Sequence, residues 1–205
     1  MVTEARAIPG APPVGVAGPP RVPEFEIVPV RALPFVALII AGLIAAIASN
    51  KLWALEFYHV VGGGLWTGVD LFVGLILGPI IGRMSIQARI DFMTRFMPKM
   101  LVIMPTLVTM TLASGLQLAR VTGFLVVEYP DHWWLTASYA VVGVMTVIAL
   151  GVLNPANVAV LFELKKPQPD GELIGKLMRR FIYTAGITGV MQLATLVIMT
   201  KLGTW

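Results

Sequence analysis

Cysteine is absent from this chain of 205 residues, which excludes disulfides, thiolate metal centres and iron–sulfur clusters. Histidine occurs twice, so one chain has little to build an imidazole-rich metal site from. Charge is scarce as well: 13% of residues are Asp, Glu, Lys or Arg, against the ~25% usual in a soluble domain. The chain shows no phosphate-binding loop, dinucleotide fingerprint or catalytic-triad pattern, and no internal repeat. Its start lacks the basic opening and apolar core of a secretory signal, so the first segment is expected to stay in the mature protein.

What fills the space is apolar. Hydrophobic residues make up 57% of the chain and the mean hydropathy is +0.84. This predicts an all-α integral membrane protein with the lipid bilayer as its surroundings and no nucleic-acid partner. In such a protein the net charge of +4 reports topology. Residues 1–31 read as a Pro-rich arm, since eight of the fifteen prolines fall at or before Pro34. The arm is either a loose tail or a strap along a neighbouring subunit. Residues 32–205 read as one bundle of five transmembrane helices, at about 32–49, 52–81, 100–118, 133–162 and 181–199. Pro79, Pro105 and Pro155 are expected to bend their helices. Met84 to Phe96 is amphipathic and is expected to lie on the surface.

Loop charges orient the bundle. With five crossings, twelve of the fifteen basic residues fall on one side, in the arm and in the loops 82–99 and 163–180; Lys51, Arg120 and Lys201 fall on the other. The positive-inside rule then places the N-terminus in the cytoplasm and the C-terminus outside, in a membrane of the bacterial cytoplasmic type. Four crossings with a re-entrant first segment would move the arm and keep both basic loops inside. Tyr129, Pro130, Asp131, His132, Trp133 and Trp134 read as an outer interfacial anchor, with Trp53 and Tyr58 in the same belt.

The second segment carries a polar stripe: Glu56, His59, Gly63, Trp66 and Asp70. Steps of 3, 4, 3 and 4 residues keep all five within a wedge of roughly 80° on a helix. Ionisable groups at such depth are costly and mark a partner, a cofactor or water. His59, about 10 Å below the outer end, is a candidate axial ligand for haem iron. Gly62, Gly63 and Gly64 would admit a porphyrin plane or another helix, and Trp66 would pack on either. A single intramembrane histidine leaves the sixth ligand to Met, another residue, water or a partner chain; equally, His59 serves as a hydrogen-bonded structural residue. Asp70 lies near the midplane, where an unpaired carboxyl is cheapest in its neutral form. With Glu56 it forms a candidate proton or cation relay, or it is a structural carboxyl bonded to one of the neutral partners Thr106, Thr109, Thr111, Ser114, Gln117, Asn154, Asn157, Tyr183, Thr184, Thr188 and Gln192. Asn154, Pro155 and Asn157 mark a helix break. Met100, Met104 and Met110 offer soft copper(I) ligands or core filler.

The run from Leu52 to Gly68, with His59 followed by Gly62–Gly63–Gly64 and Trp66–Thr67–Gly68, resembles the opening helix of the CopD and HemJ-type membrane families. Phe96 to Leu118, the pair Trp134–Leu135 and Arg179–Arg180 before a last helix are similar in order, so the resemblance covers about residues 52–201. It implies a four-helix core, formed here by the second to fifth segments, with the first segment added. It also implies haem binding and protoporphyrinogen oxidation, or copper handling, with His59 at the family's first-helix histidine. Where the family has a lysine after the Trp-Leu pair, this chain has Thr136, Ala137, Ser138 and Tyr139; Asn154 stands near the place of a second histidine. These departures argue against the oxidase activity and leave haem attachment.

The expected function is therefore a membrane protein or subunit that binds haem b through His59 and takes part in electron transfer, with a quinone as a candidate partner. The alternatives are a non-catalytic subunit of a larger respiratory or photosynthetic complex, among other membrane subunits, and a copper or proton transporter.

Overall fold

In the computed structural model, residues 22–128 and 132–204 are described. Residues 1–21 of the arm and Tyr129, Pro130 and Asp131 of the outer anchor lie outside them. Every element among the described residues is helical. Five helices are long and apolar enough to span a membrane: α1 (Val30–Ser49), α2 (Leu52–Arg83), α3 (Ile86–Val121), α4 (His132–Leu164) and α5 (Gly171–Gly203).

Local chemistry sets the helix ends. Asn50 closes α1 in the left-handed conformation at φ 49°, which asparagine tolerates better than most residues. Ser85 accepts from the Ala88 N–H at the start of α3, and the Asp170 carboxylate accepts from the Glu172 and Leu173 N–H groups at the start of α5. Gly123, at φ 80°, turns the chain after α3 into a short 3-10 turn, Phe124–Val126.

Two expected spans are longer than their apolar cores. α3 is one helix of 36 residues, and the surface helix expected at Met84 to Phe96 is its first turns. Ile90, Met93 and Met97 recur at steps of three and four and bury that face against α4 and α5, where they meet Val160, Leu161, Ile174 and Met178. Charged residues on the opposite face lower the hydropathy without breaking the helix. α5 likewise begins ten residues before the expected Phe181.

The prolines of α2 and α4 are accommodated by widened turns. Residues Phe72–Leu77 and Ala149–Leu153 are π-helical. Gly78 and Asn154, each just before a proline, bond five residues back, to the Val73 and Ala149 carbonyls. The extra residue in the turn makes room for the ring of Pro79 or Pro155, which has no N–H to donate. Pro98 and Pro105 lie within α3, which stays helical through both.

α2 crosses α3 and α5 closely. A methyl group on Gly62 would lie 2.8 Å from Thr111 Oγ1 and 3.0 Å from Met110 Cβ, and one on Gly74 would collide with the Gly186 backbone. α1 is peripheral, burying only Leu43 and Ala46. It runs the length of the bundle. At one end Lys165, after α4, donates to the Phe25 carbonyl at 2.5 Å and sits 4.6 Å from the Phe25 ring centre. At the other end Gln117 of α3 donates to Asn50 Oδ1 at 2.5 Å. The described part of the arm, with Val22, Phe25 and Ile27 on the core, packs against its own bundle.

Candidate functional site

The stripe on α2 descends from the surface into the core. Glu56 is exposed, His59 and Gly63 are half-buried, and Trp66 and Asp70 are buried at 3% and 2% exposure. The wedge therefore tilts inward along the helix, and its two ends have different surroundings.

At the outer part, His59 meets α3. Its Nδ1 lies 2.9 Å from the Thr111 carbonyl oxygen. A carbonyl only accepts, so Nδ1 carries the proton and Nε2 of the neutral ring presents a lone pair. The ring edge rests where a side chain at position 115 would be: a Cβ on Gly115 would stand 2.6 Å from His59 Cε1 and 2.7 Å from Nδ1, but 3.6 Å from Nε2. Backbone carbonyl and glycine together fix the imidazole. Gly62 is filled by α3, so its lack of a side chain serves helix contact; Gly63 has only Thr111 Cγ2 near it, at 3.5 Å. Gly64 and Gly68 are exposed, with nothing within 4 Å of an added Cβ.

At the inner part, Asp70 is held by α5. Its Oδ2 accepts from Thr188 Oγ1 at 3.0 Å and from Gln192 Nε2 at 2.9 Å. The Trp66 indole N–H, one turn back on α2, lies beside the same carboxyl but falls outside hydrogen-bond geometry and has no other partner among the described residues. Of the eleven candidate partners, two bind the carboxyl. Asn154 and Asn157 share a pocket with it. Thr106, Thr111 and Ser114 turn back onto the Val102, Leu107 and Met110 carbonyls of their own helix. Thr184 lends its carbonyl to Thr188, Gln117 is engaged with Asn50, and Thr109 and Tyr183 are exposed.

The pocket is small and only partly enclosed, about 30 Å³ of space for the centre of a water molecule, with the exposed Leu150 on its rim. It is lined by Asp70 and Val73 of α2, Met100, Met104, Pro105 and Val108 of α3, Leu150, Leu153, Asn154 and Asn157 of α4, and Phe181 and Ala185 of α5. Sequence reading names several of these residues but not the pocket, which exists because both widened turns and Pro105 face one another across the bundle. Met100 and Met104 line it, whereas Met110 packs with Trp66 and Met145 in a second cluster. Among the described residues, no three His, Asp or Glu side chains are grouped so as to hold a metal ion.

Fold and site define an all-helical bundle of five long apolar helices, with a carboxyl held in its interior by a facing helix and an anchored imidazole nearer one end. Comparison with protein-family models, with curated proteins and with solved structures finds no match.

Proposed function

We propose that the chain is an integral membrane protein that binds haem b through His59 and takes part in electron transfer, as part of a larger assembly. Five apolar helices carrying exposed Phe35, Leu38, Val60, Leu75 and Val147 suit a lipid environment. Arg83 at the end of α2, Arg89, Arg95 and Lys99 in the first turns of α3, Lys165 and Lys166 after α4, and Lys176, Arg179 and Arg180 early in α5 lie toward one end, which the proposal assigns to the cytoplasm of a bacterial cell. The C-terminus then lies outside.

The observation that carries the haem reading is the hydrogen bond from His59 Nδ1 to the Thr111 carbonyl. A ligating imidazole needs its second nitrogen held in this way: the bond selects the tautomer and fixes the ring plane. Bound haem supplies a one-electron couple, tuned by its axial ligands and surroundings. Gly64 and Gly68, on the side of α2 away from His59, leave that exposed side flat enough for a partner helix. The chain builds one imidazole ligand here, so the other axial position falls to a residue outside the stripe, to water or to another subunit, and a quinol is a fitting electron donor. The same incompleteness favours the second reading, an accessory subunit of a respiratory or photosynthetic complex.

Absorption spectra of the purified protein, oxidised and dithionite-reduced, test this. The expected result is a b-type spectrum in the wild type, lost in His59→Ala. Gly115→Ala is expected to reduce haem occupancy several-fold, because its methyl group displaces the ring, while Gly64→Ala keeps it. A colourless wild type, purified gently with its partners, would overturn the haem reading and leave the accessory subunit.

A further inference from the structure

The pocket beside Asp70 has features that the haem reading does not use. Asp70 is 2% exposed, yet its two neutral partners from α5 both bind one oxygen, Oδ2. Asn157, on the pocket's α4 wall, is 3% exposed, and its Oδ1 has no hydrogen-bond partner among the described residues. A buried amide oxygen without a donor costs about 1–3 kcal/mol, so a donor belongs there. The pocket of about 30 Å³ has room for one or two waters. A water at that place finds the partners it needs: the Asp70 carboxyl and the Asn154 and Asn157 amides.

We infer that this pocket is a proton-loading site, in which one or two waters bridge Asp70 to Asn157 and Asp70 exchanges a proton with them. The partners of the carboxyl suit both of its states. Thr188 has a single hydroxyl proton and three acceptors in reach: Asp70 Oδ2 at 3.0 Å, the Thr184 carbonyl at 3.1 Å and the Ala185 carbonyl at 3.0 Å. When Asp70 is ionised the hydroxyl donates to it. When Asp70 is protonated the hydroxyl donates to its own helix and accepts from the acid. Gln192 donates to Oδ2, while its Oε1 is buried without a partner, so a turned amide also offers the acid an acceptor. The proton leaves as the hydronium form of the pocket water, and the carboxylate stays bonded to Thr188 and Gln192.

A proton fits the pocket better than a hard metal cation. Such cations take about six or more oxygen ligands; here one carboxyl and two amides are on offer. Besides Asp70 no ionisable side chain lines the pocket from α2, α3, α4 or α5. On α2 itself, His59 and Glu56 stand 11 and 14 residues away, about 16 and 21 Å along the axis.

The test is pH-difference infrared spectroscopy of the full chain in lipid vesicles, with ¹³C-carboxyl aspartate. The chain has four aspartates, Asp70, Asp91, Asp131 and Asp170, and Asp70 alone is buried among the described ones. The expected result is a label-sensitive, water-shielded acid band that titrates, shifts on exchange into heavy water and vanishes in Asp70→Asn. Asn157→Leu, which removes the bridging partner and fills the pocket, moves its midpoint by about one pH unit or more. The labelled wild type and Asn157→Leu suffice if Asp70→Asn fails to fold. No titrating shielded band, an unchanged midpoint in Asn157→Leu, or a band that answers to sodium ions instead of pH would overturn the inference. The infrared band is independent of visible colour: a colourless protein that shows it overturns the haem reading alone.

Discussion

Asp70 and His59 share one face of α2 and are 11 residues apart, yet opposite neighbours hold them, α5 for the carboxyl and α3 for the imidazole. The partner determines what each substitution costs. Asp70→Leu leaves the Gln192 amide N–H in the core without an acceptor and is expected to lower stability by about 1–3 kcal/mol. Asp70→Asn keeps an acceptor of the same size and is expected to cost less than about 1 kcal/mol. Thermal unfolding of both variants in one detergent measures the difference. Equal losses would mean that the carboxyl is held by charge and not by its two neutral donors. At this scale the sequence shows that Asp70 needs a partner, because a carboxyl on a greasy helix must be satisfied. It does not choose among eleven polar candidates. That choice depends on the rotation of α5 about its axis, which places Thr188 and Gln192, one turn apart, opposite Asp70 and leaves Tyr183 outside.

At the scale of helices, contact between α2 and α5 rests on two facing glycines. A side chain on Gly74 meets the Gly186 backbone, which has no rotamer to yield with. Gly74→Ala is therefore expected to destabilise by about 1–3 kcal/mol or to separate the helices. Gly82→Ala, with nothing within 4 Å of its added methyl group, is expected to be neutral or slightly stabilising. Denaturation midpoints of the pair check this, and a silent Gly74→Ala would contradict the crossing. Periodicity and length predict all five helices, and proline predicts the breaks in α2 and α4. Proline does not say how the break is made. A kink and a widened turn both leave the ring room, and the turn is chosen by what packs across from it. The amphipathic run from Met84 to Phe96 shows the same limit: steps of three and four describe a helix with one apolar face, whether that face meets lipid or the core formed by Val160 and Met178.

For the whole molecule, the described contacts tie opposite ends of the bundle to different charge. Lys165 and Phe25 bring the N-terminal segment beside the α4–α5 connection, and the α2–α3 connection lies at that same end because α2 and α4 run in the same direction. Asn50 and Gln117 mark the other end, where Trp53 and Trp133 are exposed at the starts of α2 and α4. With α1 running the full length, the re-entrant alternative with four crossings loses its support, and the proposed orientation counts basic residues over five long helices, twelve against three. The absence of cysteine makes the proposed orientation directly measurable, since any introduced thiol is unique. Gln168→Cys, in the exposed α4–α5 connection, is expected to react with a membrane-impermeant thiol reagent in inside-out vesicles and to be protected in intact cells. Val126→Cys, 83% exposed in the turn after α3, is expected to show the reverse. Exchange of the two patterns would keep the fold and invert the orientation, placing the basic end outside against the charge rule. Labelling of both from one side would mean that α4 does not cross, and with it would fall the membrane reading on which the depths of His59 and Asp70 depend.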